Sequence, residues 1–345
     1  MSKQYSIKEL LKHRCIWMAA AIILILFFHA ESEVGFPGLS FLSKYGHYGV
    51  DIFFFASGIG CWFSLSKNQE TASFFWRRVK RIMPVYLTFI VIWSAFQIIT
   101  SKMPAGSILG NALGVEFFRK SNKWNFNWYI SGMWISYLLA PLFYSCVKSL
   151  SKAKSAAVLL FLYILTIPFI GYVPYLIILT RLSVFYLGFM TAESAEKGES
   201  VTLVQIIIMD IIAVVAIILT GVLYNAFPEH KFDWGLGWYP AIAVVPGICV
   251  TLSVLFDKIS KTKIYDIFAF VGKYTFEIYL VHVFLFEFIL AKYPIPTNYG
   301  TEFLAYAVSL VCALALNKIA YIPTAFLRFI SGQKKTVNVK EKRKG

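Results

Sequence analysis

Long apolar runs separated by short polar or basic segments dominate the chain. A helix that crosses a bilayer needs ~20 mainly apolar residues. Ten runs meet or approach that length: 11–30, 47–66, 82–100, 126–147, 155–172, 174–192, 201–224, 236–256, 273–291 and 302–328. The pattern predicts an all-α, polytopic membrane helix bundle of about ten spans. Gly171 to Pro174 marks the thin boundary between the fifth and sixth runs. The apolar stretch 106–118 is too short to cross and holds Gly110 and Gly114, which predicts a re-entrant or interfacial piece. The bundle is expected to fill residues 1–330, and 331–345 to form a basic, disordered tail.

Composition agrees with this picture. Of 345 residues, 58% are hydrophobic and only 15% charged, where a soluble domain carries about a quarter. The formal charge of +15 invites a nucleic-acid reading, but its distribution argues against one. Lys and Arg gather at the ends of apolar runs. The two ends of the chain and the even-numbered loops hold 23 of them, counting Lys12, Arg14 and Arg328 at the outermost ends of the first and last runs, and the odd-numbered loops hold 7. This asymmetry predicts that both termini are cytoplasmic, with the basic residues facing anionic lipid. The five cysteines lie far apart without metal-ligand spacing, which predicts buried structural thiols and no metal. The flank Ala30-Glu31-Ser32 lacks a cleavage pattern, so the first run is expected to be retained.

Ionisable residues inside these runs carry the candidate chemistry, because a charge within the bilayer is costly and seldom idle. His29 lies fifteen residues beyond Arg14 in the first run, or ~22 Å along a helix. Asp51, near the start of the second run, is expected at similar depth, where a carboxylate could orient the imidazole as a general base. Arg77, Arg78 and Arg81 lie at the mouth of the third run, in the cluster Arg77-Arg78-Val79-Lys80-Arg81. Arginine forks bind phosphate oxygens in pairs of bonds, and residues three apart share a helix face. Arg181 falls in the middle of the sixth run and is expected to face a polar cavity. Asp210 and Glu277 are candidate charge partners, and His282 is expected to be buried or cavity-lining.

The order of these segments resembles the integral-membrane acyltransferase family 3. The resemblance runs from Phe27-Phe28-His29-Ala30 through Gly49-Val50-Asp51-Ile52-Phe53-Phe54 to Arg77-Arg78-Val79-Lys80-Arg81-Ile82-Met83-Pro84. It continues with Trp128-Tyr129-Ile130, with Arg181 to Gly188, and with Gly272-Lys273-Tyr274-Thr275-Phe276-Glu277-Ile278-Tyr279-Leu280-Val281-His282. The resemblance implies that His29 is the catalytic histidine and that Arg78 and Arg81 form the family's Arg-x-x-Arg motif. Two positions depart from the pattern. Met18 stands where the family usually has an arginine, eleven residues before the histidine, and Arg14 lies one turn earlier on the same face. Met133 stands where one branch of the family has a glutamate.

The resemblance further implies an O-acetyltransferase of the bacterial cell membrane. Acetyl-CoA would be the cytoplasmic donor, held by Arg14, Arg77, Arg78 and Arg81. The acceptor would be a hydroxyl of an extracytoplasmic cell-surface glycan or lipid-linked sugar, with His29 acting as base or as acyl carrier. Trp128, Arg181, Tyr279 and His282 are the expected substrate-binding or cavity residues. The stretch Asn122 to Asn127 has the aromatic and amide content of a sugar-binding edge. The rival expectation is an exporter or flippase of a polysaccharide or lipid-linked sugar, which ten helices with buried charges would also suit.

Overall fold

In hydrocarbon every backbone N–H and C=O must find its partner within the chain, so apolar runs of this length become helices. The computed structural model describes residues 3–29, 43–101, 105–119, 127–286 and 299–330. The first helices are α1 (Ile7–His29), α2 (Tyr48–Lys67) and α3 (Thr71–Ser101). Two short helices follow, α4 (Ala105–Ala112) and α5 (Glu116–Arg119). The middle of the chain forms α6 (Trp128–Ser149), α7 (Lys152–Ile164), α8 (Val173–Glu196) and α9 (Leu203–Ala226). The last four are α10 (Ala241–Asp257), α11 (Lys263–Lys273), α12 (Thr275–Val283) and α13 (Tyr299–Ile330).

Eight helices among the described residues are long and apolar enough to cross a membrane. α11 and α12 together supply a ninth, bent by 63° at their junction. α10 is apolar but shorter, at 17 residues, and completes the ten expected runs. Three starts differ from the expected ones by five residues or more. The ninth run was expected to start at residue 273, which is where the chain bends instead. The eighth starts at Ala241, because turns occupy the chain up to Pro240. The third starts at Thr71 rather than 82, so the whole arginine cluster rides on one continuous helix with Pro84 inside it. The fifth and sixth runs do separate near Gly171, whose φ of +90° turns the chain and whose N–H donates to the carbonyl of Asp233 at 2.7 Å.

The core is the crossing of α2 and α8. A Cβ on Gly58 would lie 2.1 Å from the carbonyl oxygen of Phe185, and one on Gly188 would lie 2.3 Å from that of Phe55. Reciprocal glycines let the two backbones touch, as small residues do at helix contacts in bilayers. Phe54, Phe55, Phe185 and Phe189 fill the surrounding space and are fully buried. α9 and the α7 stretch lie at the periphery, with Leu160, Ile211, Ile218 and Val222 exposed. The stretch expected to be re-entrant contains the two short helices α4 and α5. It is anchored from α3, where Tyr86 donates to the carbonyl of Asn111, and from α6, whose preceding residue Asn127 donates to the Asn111 side chain.

Among the described residues, one small sheet interrupts the helices. β1 (Gln4–Ser6) pairs antiparallel with β2 (Ser200–Thr202), Tyr5 lying opposite Val201. β1 leads directly into α1 and β2 directly into α9, so these two helices start on the same face of the bundle. The residues 331–345 of the expected tail lie outside the described residues.

Candidate active site

Helices α1, α2, α3, α6, α11, α12 and α13 enclose a cavity of about 470 Å³. One end is cationic. Arg14, Arg78, Arg81 and Lys273 line it, against the single carboxylate of Glu277. α3 presents Arg78 and Arg81 on the same side, as a separation of three residues requires. Arg78 is positioned by its donation to the carbonyl of Gly60 at 3.1 Å. Its guanidinium also lies over the rings of Phe74 and Tyr137, at 5.1 and 5.6 Å, contacts that favour a cation. Arg14 reaches the same place from α1, near Gly60: a Cβ there would lie 3.3 Å from its Nη1. Met18, one turn further along α1, also lines the cavity. Asn317 of α13 donates to Glu277 at 2.5 Å and turns part of that carboxylate's acceptor capacity away from the cations.

The other end is aromatic. Phe53, Tyr129 and Tyr279 line it, with 4.7 Å between the ring centroids of Tyr129 and Tyr279. Along α6, from Tyr137 at the arginines to Tyr129, the cavity runs ~12 Å. The next ring beyond Tyr279 is His282, at 5.4 Å, and the next beyond that is His29, at 5.1 Å. A continuous file of rings therefore links the cavity to the end of α1. His282 is fully buried, with its Nδ1 3.1 Å from the carbonyl oxygen of Ile278. His29 is half-buried, at the last residue of its helix.

Several sequence expectations are revised by this geometry. Asp51 does not pair with His29. Its carboxylate lies 3.1 Å from Nε of Arg181, and both side chains are buried. Arg181 does not line the cavity either. Its guanidinium is sandwiched by Trp238 at 4.8 Å and Trp128 at 5.5 Å, and its Nη1 donates to the carbonyl of Ile177 at 3.2 Å. Trp128 thus serves this ion pair rather than the cavity. Arg77 points away from Arg78 and Arg81. It is bonded to Ser64 and Ser73, its Nη1 donating to the Ser73 hydroxyl at 2.6 Å. Asp210 is satisfied by Thr251, 2.8 Å from each carboxylate oxygen. The expected sugar-binding stretch 122–126 lies outside the described residues; only Asn127 falls within them.

Other cavity residues were not singled out from the sequence. Asn317 carries no local signal, and Tyr137 stands out only as the start of the family-like segment Tyr137 to Pro141. Lys273 carries only the signal of a charge inside an apolar run, and the bend that brings it to the cavity beside Glu277, itself a candidate charge partner from the sequence, is not written locally.

The acyltransferase family 3 model, described as an acyltransferase domain, matches residues 19–320. The chain belongs to this family, and the match includes every candidate site residue except Arg14, which precedes it. Neither a curated protein nor a solved structure matches the chain. A file of rings that joins a cationic cavity to a histidine, within an acyltransferase domain, defines a membrane acyltransferase of helical-bundle architecture.

Proposed function

We propose that the protein moves an acetyl group from cytoplasmic acetyl-CoA to a hydroxyl of an extracytoplasmic cell-surface glycan, as an O-acetyltransferase of the bacterial cell membrane. The observation that carries this reading is the polarity of the cavity. Arg14, Arg78, Arg81 and Lys273 at one end suit the phosphates of CoA. The apolar walls of Phe53, Ile130 and Met133 suit a pantetheine arm and a small acyl group. Both termini and the even-numbered loops hold most of the basic residues, which supports a cytoplasmic mouth for the cation cluster.

In this mechanism His29 is the general base. The acceptor hydroxyl gives its proton to the imidazole, and its oxygen attacks the thioester carbonyl carbon. The C–S bond breaks, the ester C–O bond remains, and the proton passes to the CoA sulfur. The products are an O-acetyl ester and free CoA. His29→Ala should lower transfer by on the order of 10²–10⁴-fold while leaving insertion and thermal stability intact, because it removes a half-buried side chain at a helix end.

The test is release of free thiol from acetyl-CoA by purified protein in lipid nanodiscs, together with the O-acetyl content of surface glycans from cells with and without the protein. Thiol release that requires His29, with O-acetyl esters that require the protein, is the expected result. No thiol release, coupled to movement of a lipid-linked sugar across the bilayer, would replace the enzyme reading with that of an exporter.

A further inference from the structure

We infer that His282 is the positioning residue for His29, taking the orienting role that Asp51 cannot fill because it is paired with Arg181. This rests on the acyltransferase reading of His29.

The argument begins with the hydrogen-bond inventory of a neutral imidazole, which has one donor nitrogen and one acceptor nitrogen. Nδ1 of His282 faces the carbonyl oxygen of Ile278 at 3.1 Å. A carbonyl can only accept, so Nδ1 carries the proton and Nε2 carries the lone pair. That Nε2 is buried and has no hydrogen-bond partner. An orphaned acceptor in a buried site is costly, so such a group in a native fold calls for an explanation. The adjacent ring is His29, 5.1 Å away and inclined by 63°.

The two rings come from helices that are far apart in sequence but touch at this level. His29 ends α1, and His282 lies near the end of α12, the second limb of the bent span. The α12 limb is short and anchored at both ends of its polar face: Glu277 is bonded to Asn317, and His282 to its own backbone. His282 therefore has little freedom to turn, and its Nε2 is a fixed acceptor. When one nitrogen of His29 takes the hydroxyl proton, the N–H on its other nitrogen can donate to this acceptor. The bond would hold the imidazole in one tautomer and stabilise the positive charge that forms on it. Asp51 would have supplied the same bond with a full negative charge; a neutral imidazole supplies it without committing a carboxylate inside the bilayer.

The test uses the full chain in nanodiscs and two readouts. With acetyl-CoA as donor, His282→Ala should lower kcat on the order of 10²-fold, with KM for acetyl-CoA and thermal stability unchanged. His282→Gln restores a carbonyl acceptor and should recover at least a tenfold share of the loss. An equal loss in both variants, or a loss in KM or thermal stability alone, would mark His282 as a packing residue and overturn the inference. The second readout does not depend on transfer. Solid-state ¹⁵N spectra of histidine-labelled protein should show a protonated Nδ1 and an unprotonated Nε2 for His282, and the His29 ring signals should move in His282→Ala. Unmoved His29 signals would overturn the positioning role, whereas moved signals in a protein without thiol release would overturn the acyltransferase reading and leave the histidine pair standing.

Discussion

Arg181 and the pair Arg78 and Arg81 are the same residue type within one bundle, and they are treated in opposite ways. Arg181 is fully enclosed, neutralised by Asp51 and covered by two indole rings. Arg78 is half-buried and Arg81 exposed, and among the described residues neither is paired with a carboxylate. Burying an ion is expensive unless it is paired, so Arg181 is a structural charge that ties α8 to α2. Arg78 and Arg81 keep their charge available at the cavity mouth. Presence in a membrane helix does not by itself tell a binding arginine from a structural one; the partners do.

Breaking the buried pair should produce the largest effect. Arg181→Ala leaves Asp51 charged and unpaired in the core, which should cost about 3–5 kcal/mol. Thermal unfolding in detergent would report it as lost or greatly destabilised protein. The double variant Asp51→Ala/Arg181→Met removes both charges and should recover much of that loss. If the single and double variants unfold alike, the pair is not what holds the two helices.

The cavity arginines should behave differently. Arg78→Ala and Arg81→Ala should each raise KM for acetyl-CoA, since charge-assisted bonds to phosphate are worth ~1.5–3 kcal/mol each, a factor of ~10–100. Thermal stability should barely change. Donor binding measured by calorimetry would check this, and unchanged affinity would move the donor site elsewhere. Smaller losses, within about tenfold, are expected for Arg78→Lys and Arg81→Lys, which keep the charge but lose the fork. Arg77→Lys sharpens the contrast: its guanidinium serves Ser64 and Ser73, so donor affinity should stay at the wild-type level.

The smallest effect belongs to the surface. Lys152 donates to Glu199 at 2.5 Å, and this bond holds the Glu199 carboxyl below the ordinary carboxylate range. A depressed folded value means stability that is present above the unfolded pKa and lost as the pH falls through the folded one. Because the pair is solvent-exposed, the contribution should stay under ~1 kcal/mol. Glu199→Gln should therefore shift the unfolding temperature by a degree or two at neutral pH and by nothing in acid.

Much of this was legible along the chain. The apolar runs marked the spans, because hydrocarbon leaves the backbone no other economy of hydrogen bonds. The separation of three between Arg78 and Arg81 indicated a shared face, but Arg77, four before Arg81, was expected with them, and only its bonds to Ser64 and Ser73 set it apart. Pairings across the bundle were not legible. Asp51 and Arg181 lie far apart in sequence, and nothing near either names the other. Depth alone made His29 the natural partner of Asp51, but depth does not fix the rotation of a helix about its axis, and that rotation gave His29 its neighbour His282 instead. The bend between α11 and α12 was hidden for a related reason: hydropathy averages over a window and does not register a change of direction.

The pairing of β1 with β2 bears on the order in which the molecule is assembled. β1 is synthesised just before α1, whereas β2 follows only after α8 is complete. At ~5–20 residues per second, the first strand waits ~10–40 s for its partner. Until then the backbone of Gln4 to Ser6 has no ladder, and the start of α1, which carries Arg14, has no tether on that side. The cationic mouth is thus completed late in biogenesis, and a nascent chain stalled before Ser200 would hold six of its long apolar helices without a finished cationic cavity.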